Sequence, residues 1–145
     1  MDIIVLMSRQ ILLDTNILVH LIRKDRIGEA LSEYFSIRTA GTKNAICVVT
    51  IGEIKSLSYQ LNWGVGKTTA AQDILLELVK ISIDNPSIYE AYAQIDTHCR
   101  KNGISVGKND LWIAATAVAT GYDLLTLDND FDPLDGVFLN VLKPA

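Results

Sequence analysis

Residues 10–22 read QILLDTNILVHLI. The aliphatic run from Gln10 to Leu13 stops at the carboxylate of Asp14, and from Asn16 to Ile22 the apolar positions continue at helix-compatible spacing. A strand therefore runs into a helix with an acid at the joint. The rest of the chain keeps changing period in the same way. Ile27, Ala30, Leu31, Tyr34 and Phe35 fall at i, i+3, i+4, i+7 and i+8, the pattern of an amphipathic helix. After Gly41, Ala45 to Val49 reads as a buried strand, and Thr50 starts a helix to about Asn62. A pattern beginning near Lys67 carries Ile74, Leu75 and Leu78 into a strand over Val79 to Ile83. Pro86 and Ser87 open a helix with Ile88, Ala91, Tyr92, Ile95 and Cys99 on one face, Ser87 and Glu90 forming a capping box and Gly103 ending it. Asn109 to Thr120 is almost wholly apolar or small, which predicts a helix buried on most sides, far shorter than a membrane span. Leu124 to Thr126 and Val137 to Val141 read as the last strands, separated by an acidic turn from Asp128 to Asp135. Aliphatic strands alternating with helices of this length predict a three-layer α/β/α sandwich around a mostly parallel central sheet.

With 145 residues, 49% of them hydrophobic and 7% aromatic, residues 1–145 are expected to form a single domain with an aliphatic core. Met7 is an alternative start, which would leave residues 1–6 as an extension outside that core. The apolar run Ile3 to Met7 is shorter than a signal-peptide core, follows Asp2 and stops at Ser8-Arg9-Gln10, so neither export signal nor membrane span is read. Cys47 and Cys99 lack both metal spacing and a disulfide framework, consistent with reduced thiols in the cytoplasm. A net charge of −4 argues against a generally basic coat for nucleic acid. A polyanion would have to be met by a local patch or by a metal ion that offsets the protein's own carboxylates.

Four acids carry the functional reading, and each has an ordinary structural explanation. Asp14 suits a helix N-cap; Thr50 and Glu53 match a capping box. Asp110 lies in a first helical turn, where the helix dipole favours negative charge, and Asp128 stands in an acidic turn. Their shared location weighs against coincidence: each sits where a strand's carboxyl end meets the next helix or loop, the edge at which open parallel sheets bind ligands. Asp110 also lies on a helix whose other positions include Leu111, Ile113, Ala114, Ala115, Ala117 and Val118, with no Lys or Arg at i+3 or i+4. A carboxylate so placed needs a counter-charge, and a divalent cation shared among carboxylate oxygens supplies one.

Four ordered blocks, Leu12-Leu13-Asp14-Thr15-Asn16-Ile17-Leu18, Thr50-Ile51-Gly52-Glu53-Ile54, Asn109 to Ala117 and Leu125-Thr126-Leu127-Asp128-Asn129-Asp130-Phe131, resemble the PIN domain. Within it they are most similar to the VapC toxins of bacterial toxin–antitoxin pairs. The resemblance implies an endoribonuclease dependent on Mg²⁺ or Mn²⁺, an RNA substrate, a homodimer and a small antitoxin partner. By position it implies Asp14, Glu53, Asp110 and Asp128 as catalytic and metal-binding acids, with Thr15, Asn16, Thr126 and Asp130 in support. Family members vary in the last loop, so Asp128 and Asp130 both stand as candidates for the fourth acid. A housekeeping PIN nuclease and a non-catalytic module with an acidic pocket are the competing readings.

Other motifs are weaker. Gly64-Val65-Gly66-Lys67-Thr68 imitates a phosphate loop, but Leu61 stands where that loop requires Gly, and the segment follows a helix. Asp128 to Asp132 imitates a calcium loop, yet its sixth position is Pro133 and its twelfth Leu139. A hydrophobic strand followed by Asp-x-Asp also resembles haloacid-dehalogenase-like phosphatases, where the motif comes first in the fold rather than last. A receiver-like domain would show paired acids after the first strand, and here Asp14 is followed by Thr15. His20 and His98 have no metal-ligand spacing, and Trp63 and Trp112 read as packing residues.

Overall fold

The computed structural model describes residues 10–35 and 43–144. The alternative start at Met7, the extension 1–6 and the break at Gly41 lie outside the described residues. In chain order the elements are β1 (Gln10–Leu13), α1 (Thr15–Arg23), α2 (Arg26–Phe35), β2 (Lys43–Cys47), α3 (Val48–Gln60), α4 (Val65–Glu77), β3 (Val79–Ile81), α5 (Pro86–Lys101), α6 (Lys108–Thr120), β4 (Asp123–Leu125), a 3₁₀ turn (Asn129–Leu134) and β5 (Val141–Leu142). The strands form one sheet in the order β3-β2-β1-β4-β5, and each neighbouring pair is parallel.

Alternation along the strands builds the two halves of the core. Leu12, Ala45, Cys47 and Leu124 face one way and pack with Ile88, Ile95, Leu111, Ile113 and Phe131 from α5, α6 and the 3₁₀ turn. Ile11, Leu13, Ile46 and Leu125 face the other way and pack with Ile17, Leu18, Leu31, Ile54 and Ile74 from α1 to α4. Both sheet faces are covered, giving the expected α/β/α layering. Chain order reverses at β1: β2 and β3 extend the sheet on one side of it, β4 and β5 on the other. The carboxyl ends of β1 and β4 thus flank the switch point where such sheets open a crevice.

Several boundaries differ from the sequence reading. Helix α3 begins at Val48, so Val48 and Val49, β-branched and strand-like by propensity, belong to its first turn. Cys47 is its N-cap and makes no side-chain cap bond, which removes the capping-box role assigned to Thr50 and Glu53. At α5 the cap is Asn85, whose side chain accepts from the Ser87 N–H at 2.8 Å; Ser87 lies inside the helix, and the box with Glu90 gives way to an Asn cap followed by Pro86. The last strand is only Val141–Leu142, because Gly136, at φ 75°, turns the chain and Val137 is left exposed. On α2, Leu31 is buried but Ile27 is 45% exposed, so its apolar face is narrower than its period implied.

Helices α1 and α2 meet at a corner that requires glycine. A Cβ on Gly28 would lie 2.2 Å from the His20 carbonyl oxygen, a backbone atom with little room to yield. The corner is tied by Asp25, which accepts from the Gly28 N–H at 2.8 Å and pairs with His20 Nδ1 at 2.7 Å. Gly28→Ala is expected to cost about 2 kcal/mol or more, as overpacking does. Gly52→Ala, whose Cβ would meet nothing within 4 Å, should be neutral or stabilising by up to about 1 kcal/mol from helix propensity. Thermal melts of the two variants test the contrast.

Candidate active site

Asp14 ends β1 and caps α1, and it is only 4% exposed. Oδ1 accepts from the Thr15 N–H at 2.8 Å and Oδ2 from the Thr126 hydroxyl at 2.7 Å. The Asp14 N–H donates to the Leu125 carbonyl at 3.0 Å, which locks the ends of β1 and β4 together. The N-cap role is thus real, but it uses one oxygen, and the other is held by a hydroxyl 112 residues away in sequence. Thr126, fully buried, also accepts from the Asp128 N–H at 2.9 Å and so starts the acidic loop.

Glu53 reaches this centre from α3. The Thr15 hydroxyl donates to its Oε1 at 2.7 Å and lies 3.1 Å from the Thr50 hydroxyl. Asn16 supports the opposite side, its Oδ1 accepting from the Leu127 N–H at 3.3 Å. Asp128 caps the 3₁₀ turn by accepting from the Asp130 N–H at 2.9 Å. Carboxylate oxygens of Asp110, Asp128 and Asp130 lie within 4.8 Å of one another. The structure brings all eight candidate residues to the switch point, and it places Asp128 and Asp130 together on one cluster.

One residue that sequence reading missed organises the loop. Lys143 Nζ lies 2.6 Å from Asn129 Oδ1, 3.2 Å from the Asp128 carbonyl and 2.9 Å from Asp132 Oδ1. Its three contacts tie the chain after β5 to the turn that carries Asp128 and Asp130. The available signal was a single cation directly after the last strand of an acid-rich segment.

Burial and concentrated negative charge raise two of these carboxyls. Burial pushes the Asp110 carboxyl up to about 7, with Asp14, Asp128, Glu53 and Asp130 adding like-charge repulsion in that order. Burial also raises Asp14, against the pull of its bonds from Thr126 and Thr15, and Glu53 and Asp128 push it further up. In a metal-free buffer the folded state therefore holds a proton on Asp110 that the unfolded chain, titrating near 3.8, has lost. Stability from this group is fully present below about pH 4 and is lost as pH rises through about 7. For a group partly open to water the loss is on the order of 1–3 kcal/mol. Melting temperatures in EDTA should fall between pH 5 and pH 8, and Asp110→Asn should flatten that slope.

The same chemistry suits a cation. Several carboxylate oxygens converging at this range are hard donors of the kind that Mg²⁺ and Mn²⁺ take, and a bound ion would offset the repulsion that raises Asp110. His20 pairs with Asp25, His98 packs edge-on against Phe138, and Trp112 stacks on Tyr92 at 4.1 Å. Cys47 and Cys99 are buried and unpaired. Among the described residues no helix is long and apolar enough to cross a membrane.

Comparison with known proteins bears on the fold and the family. Residues 11–137 match the family model of the PIN domain. Ribonuclease VapC4 of Mycobacterium tuberculosis is 31% identical over 113 residues, covering 77% of this chain and 86% of that protein. Ribonuclease VapC5 of the same organism is 25% identical over 124 residues, covering 86% and 87%. Among solved structures, that of VapBC2 from Rickettsia felis, bound to a DNA fragment from its promoter, contains a chain that superposes with a TM-score of 0.70 at 25% identity, over 92% of this chain and 98% of that one.

Proposed function

The chain belongs to the PIN domain family, and from that premise we propose that it is a metal-dependent endoribonuclease acting in the cytoplasm as the toxin of a toxin–antitoxin pair. The observation that carries the reading is the convergence of Asp14, Glu53, Asp110, Asp128 and Asp130 on the crevice between β1 and β4. Asp14, Glu53, Asp110 and Asp128 are the proposed catalytic acids, and Asp130 joins Asp110 and Asp128 in offering metal ligands. Relatives named as ribonucleases make RNA the proposed substrate. Solved neighbours that include toxin–antitoxin complexes make a small antitoxin the proposed partner, and the resemblance to the family makes a homodimer the proposed assembly.

Mg²⁺ or Mn²⁺, when bound, would supply an activated water and stabilise charge on the leaving oxygen. The protein's own work is to hold its acids in place. Thr126 and the Thr15 N–H fix both oxygens of Asp14. The Thr15 hydroxyl aims Glu53. Thr126 and Lys143 set the loop that presents Asp128 and Asp130. No side chain need act as nucleophile, and the described hydrogen bonds prepare none.

Purified protein is expected to cleave single-stranded RNA when supplied with Mg²⁺ or Mn²⁺ and to stop in EDTA, as followed by gel analysis of an end-labelled RNA. RNA that stays intact with either metal would refute the catalytic reading and leave a non-catalytic acidic module.

A further inference from the structure

Beside the acidic centre runs a cleft of about 520 Å³ between α3 and the start of α6, within the range of about 300–1,000 Å³ that small-ligand sites occupy. Thr15 and Glu53 belong to both the cleft and the acidic site, so the two are continuous. We propose that this cleft holds the nucleobase of a nucleotide flanking the scissile phosphate and sets the cleavage sequence, a proposal that rests on the ribonuclease reading above.

The lining selects against phosphate and for an uncharged ring. No lining residue carries positive charge, and Glu53 carries negative charge, so a second phosphate here would be repelled. Ser56, Gln60 and Asn109 supply neutral donors and acceptors, while Val49 and Leu57 supply aliphatic surface for the flat face of a base. The Gln60 amide donates to the Ser56 hydroxyl at 2.9 Å. That bond orients both groups and leaves the Gln60 carbonyl oxygen, its second amide hydrogen and the Ser56 hydroxyl hydrogen for a ligand. Among the described residues the Asn109 side chain has no hydrogen-bond partner, although it directly precedes Asp110. Donors and acceptors side by side match the edge of an unstacked base, which is how single-stranded RNA is read in a sequence-dependent way.

Gly52 provides the probe. It lines the cleft, and a Cβ there meets nothing within 4 Å, so a larger side chain grows into the cleft rather than into the fold. The experiment digests a randomised single-stranded RNA pool with Mn²⁺ and sequences the ends, comparing wild type with Gly52→Leu and Gln60→Ala, each first checked for an unchanged melting profile. Wild type is expected to favour one nucleotide beside the cut, Gln60→Ala to reduce that preference by about fivefold, the factor carried by one net hydrogen bond, and Gly52→Leu to reduce it by filling the cleft. Wild-type cleavage without any flanking preference overturns the proposal and leaves the nuclease standing. So do variants that cut more slowly with the wild-type preference intact, because they mark a merely structural role. A wild type that cuts nothing overturns both readings together.

Discussion

Asp110→Asn is expected to lower RNA cleavage by on the order of a hundredfold or more while leaving the metal-free protein at least as stable as wild type. Residues that only support a metal ligand typically cost about ten- to a hundredfold when replaced, and Asp110 is proposed as a ligand itself. The gain in stability follows from the same group. Its carboxyl is pushed up to about 7 by burial and by Asp14, Asp128, Glu53 and Asp130, so near neutral pH the folded state either takes up a proton there or bears the charge, a cost that the neutral amide avoids. Activity falling while the EDTA melting temperature holds or rises separates loss of a site from loss of a fold. Wild type should gain stability with added Mn²⁺ in a concentration-dependent way, because the ion binds the folded state, and the variant should gain much less. A variant that melts lower in EDTA, or cleaves at the wild-type rate, would overturn the assignment.

Thr126→Val is the second large effect, and it works through a shape-conserving change. The hydroxyl is fully buried, donates to Asp14 Oδ2 at 2.7 Å and accepts from the Asp128 N–H at 2.9 Å. Valine fills the same space but leaves a buried carboxylate oxygen and a backbone N–H without their partner. Each unsatisfied group costs about 1–3 kcal/mol, more when charged, so a loss of about 2–4 kcal/mol is expected. For a chain of this size that corresponds to a melting temperature lower by roughly 5–15 °C. Cleavage should fall as well, since the Asp14 carboxyl loses the bond that opposes the effect of burial. Thr126→Ser, which keeps the hydroxyl, should recover most of the activity. Equal cleavage by the Val and Ser variants would show that the hydroxyl does not position the acids.

The layering and the parallel sheet were legible because they rest on period. Leu12 and Ile11 point to opposite faces of β1 and both are buried, which a near-continuous aliphatic run announces. The joint at Asp14 was legible for the same reason. Boundaries were less so where local propensity and tertiary position disagree, as at Val48 and Val49, whose β-branched side chains read as strand although the chain has already turned into α3. The individual side-chain contacts between distant segments were less legible than the edge at which the acids meet. Lys143 stands out as a cation after an acid-rich segment, but its neighbours do not say that it reaches the turn holding Asp128, and nothing near Gly28 says that another helix's backbone stands 2.2 Å from the absent Cβ. The capping box that Thr50 and Glu53 imitate does not form, and the hydroxyl that meets Glu53 comes from Thr15.

The pairing of β1 with β4 also bears on how such a protein is made. Asp14 leaves the ribosome well before the strand that locks against it, the Thr126 hydroxyl 112 residues further on that holds its outer oxygen and the Lys143 ammonium that anchors the acidic turn. Until they emerge, the early acids have no framework, and contacts between residues so far apart along the chain form late in folding. A nascent chain of this topology therefore assembles its acidic site only after the segment carrying Thr126 and Lys143 has been made.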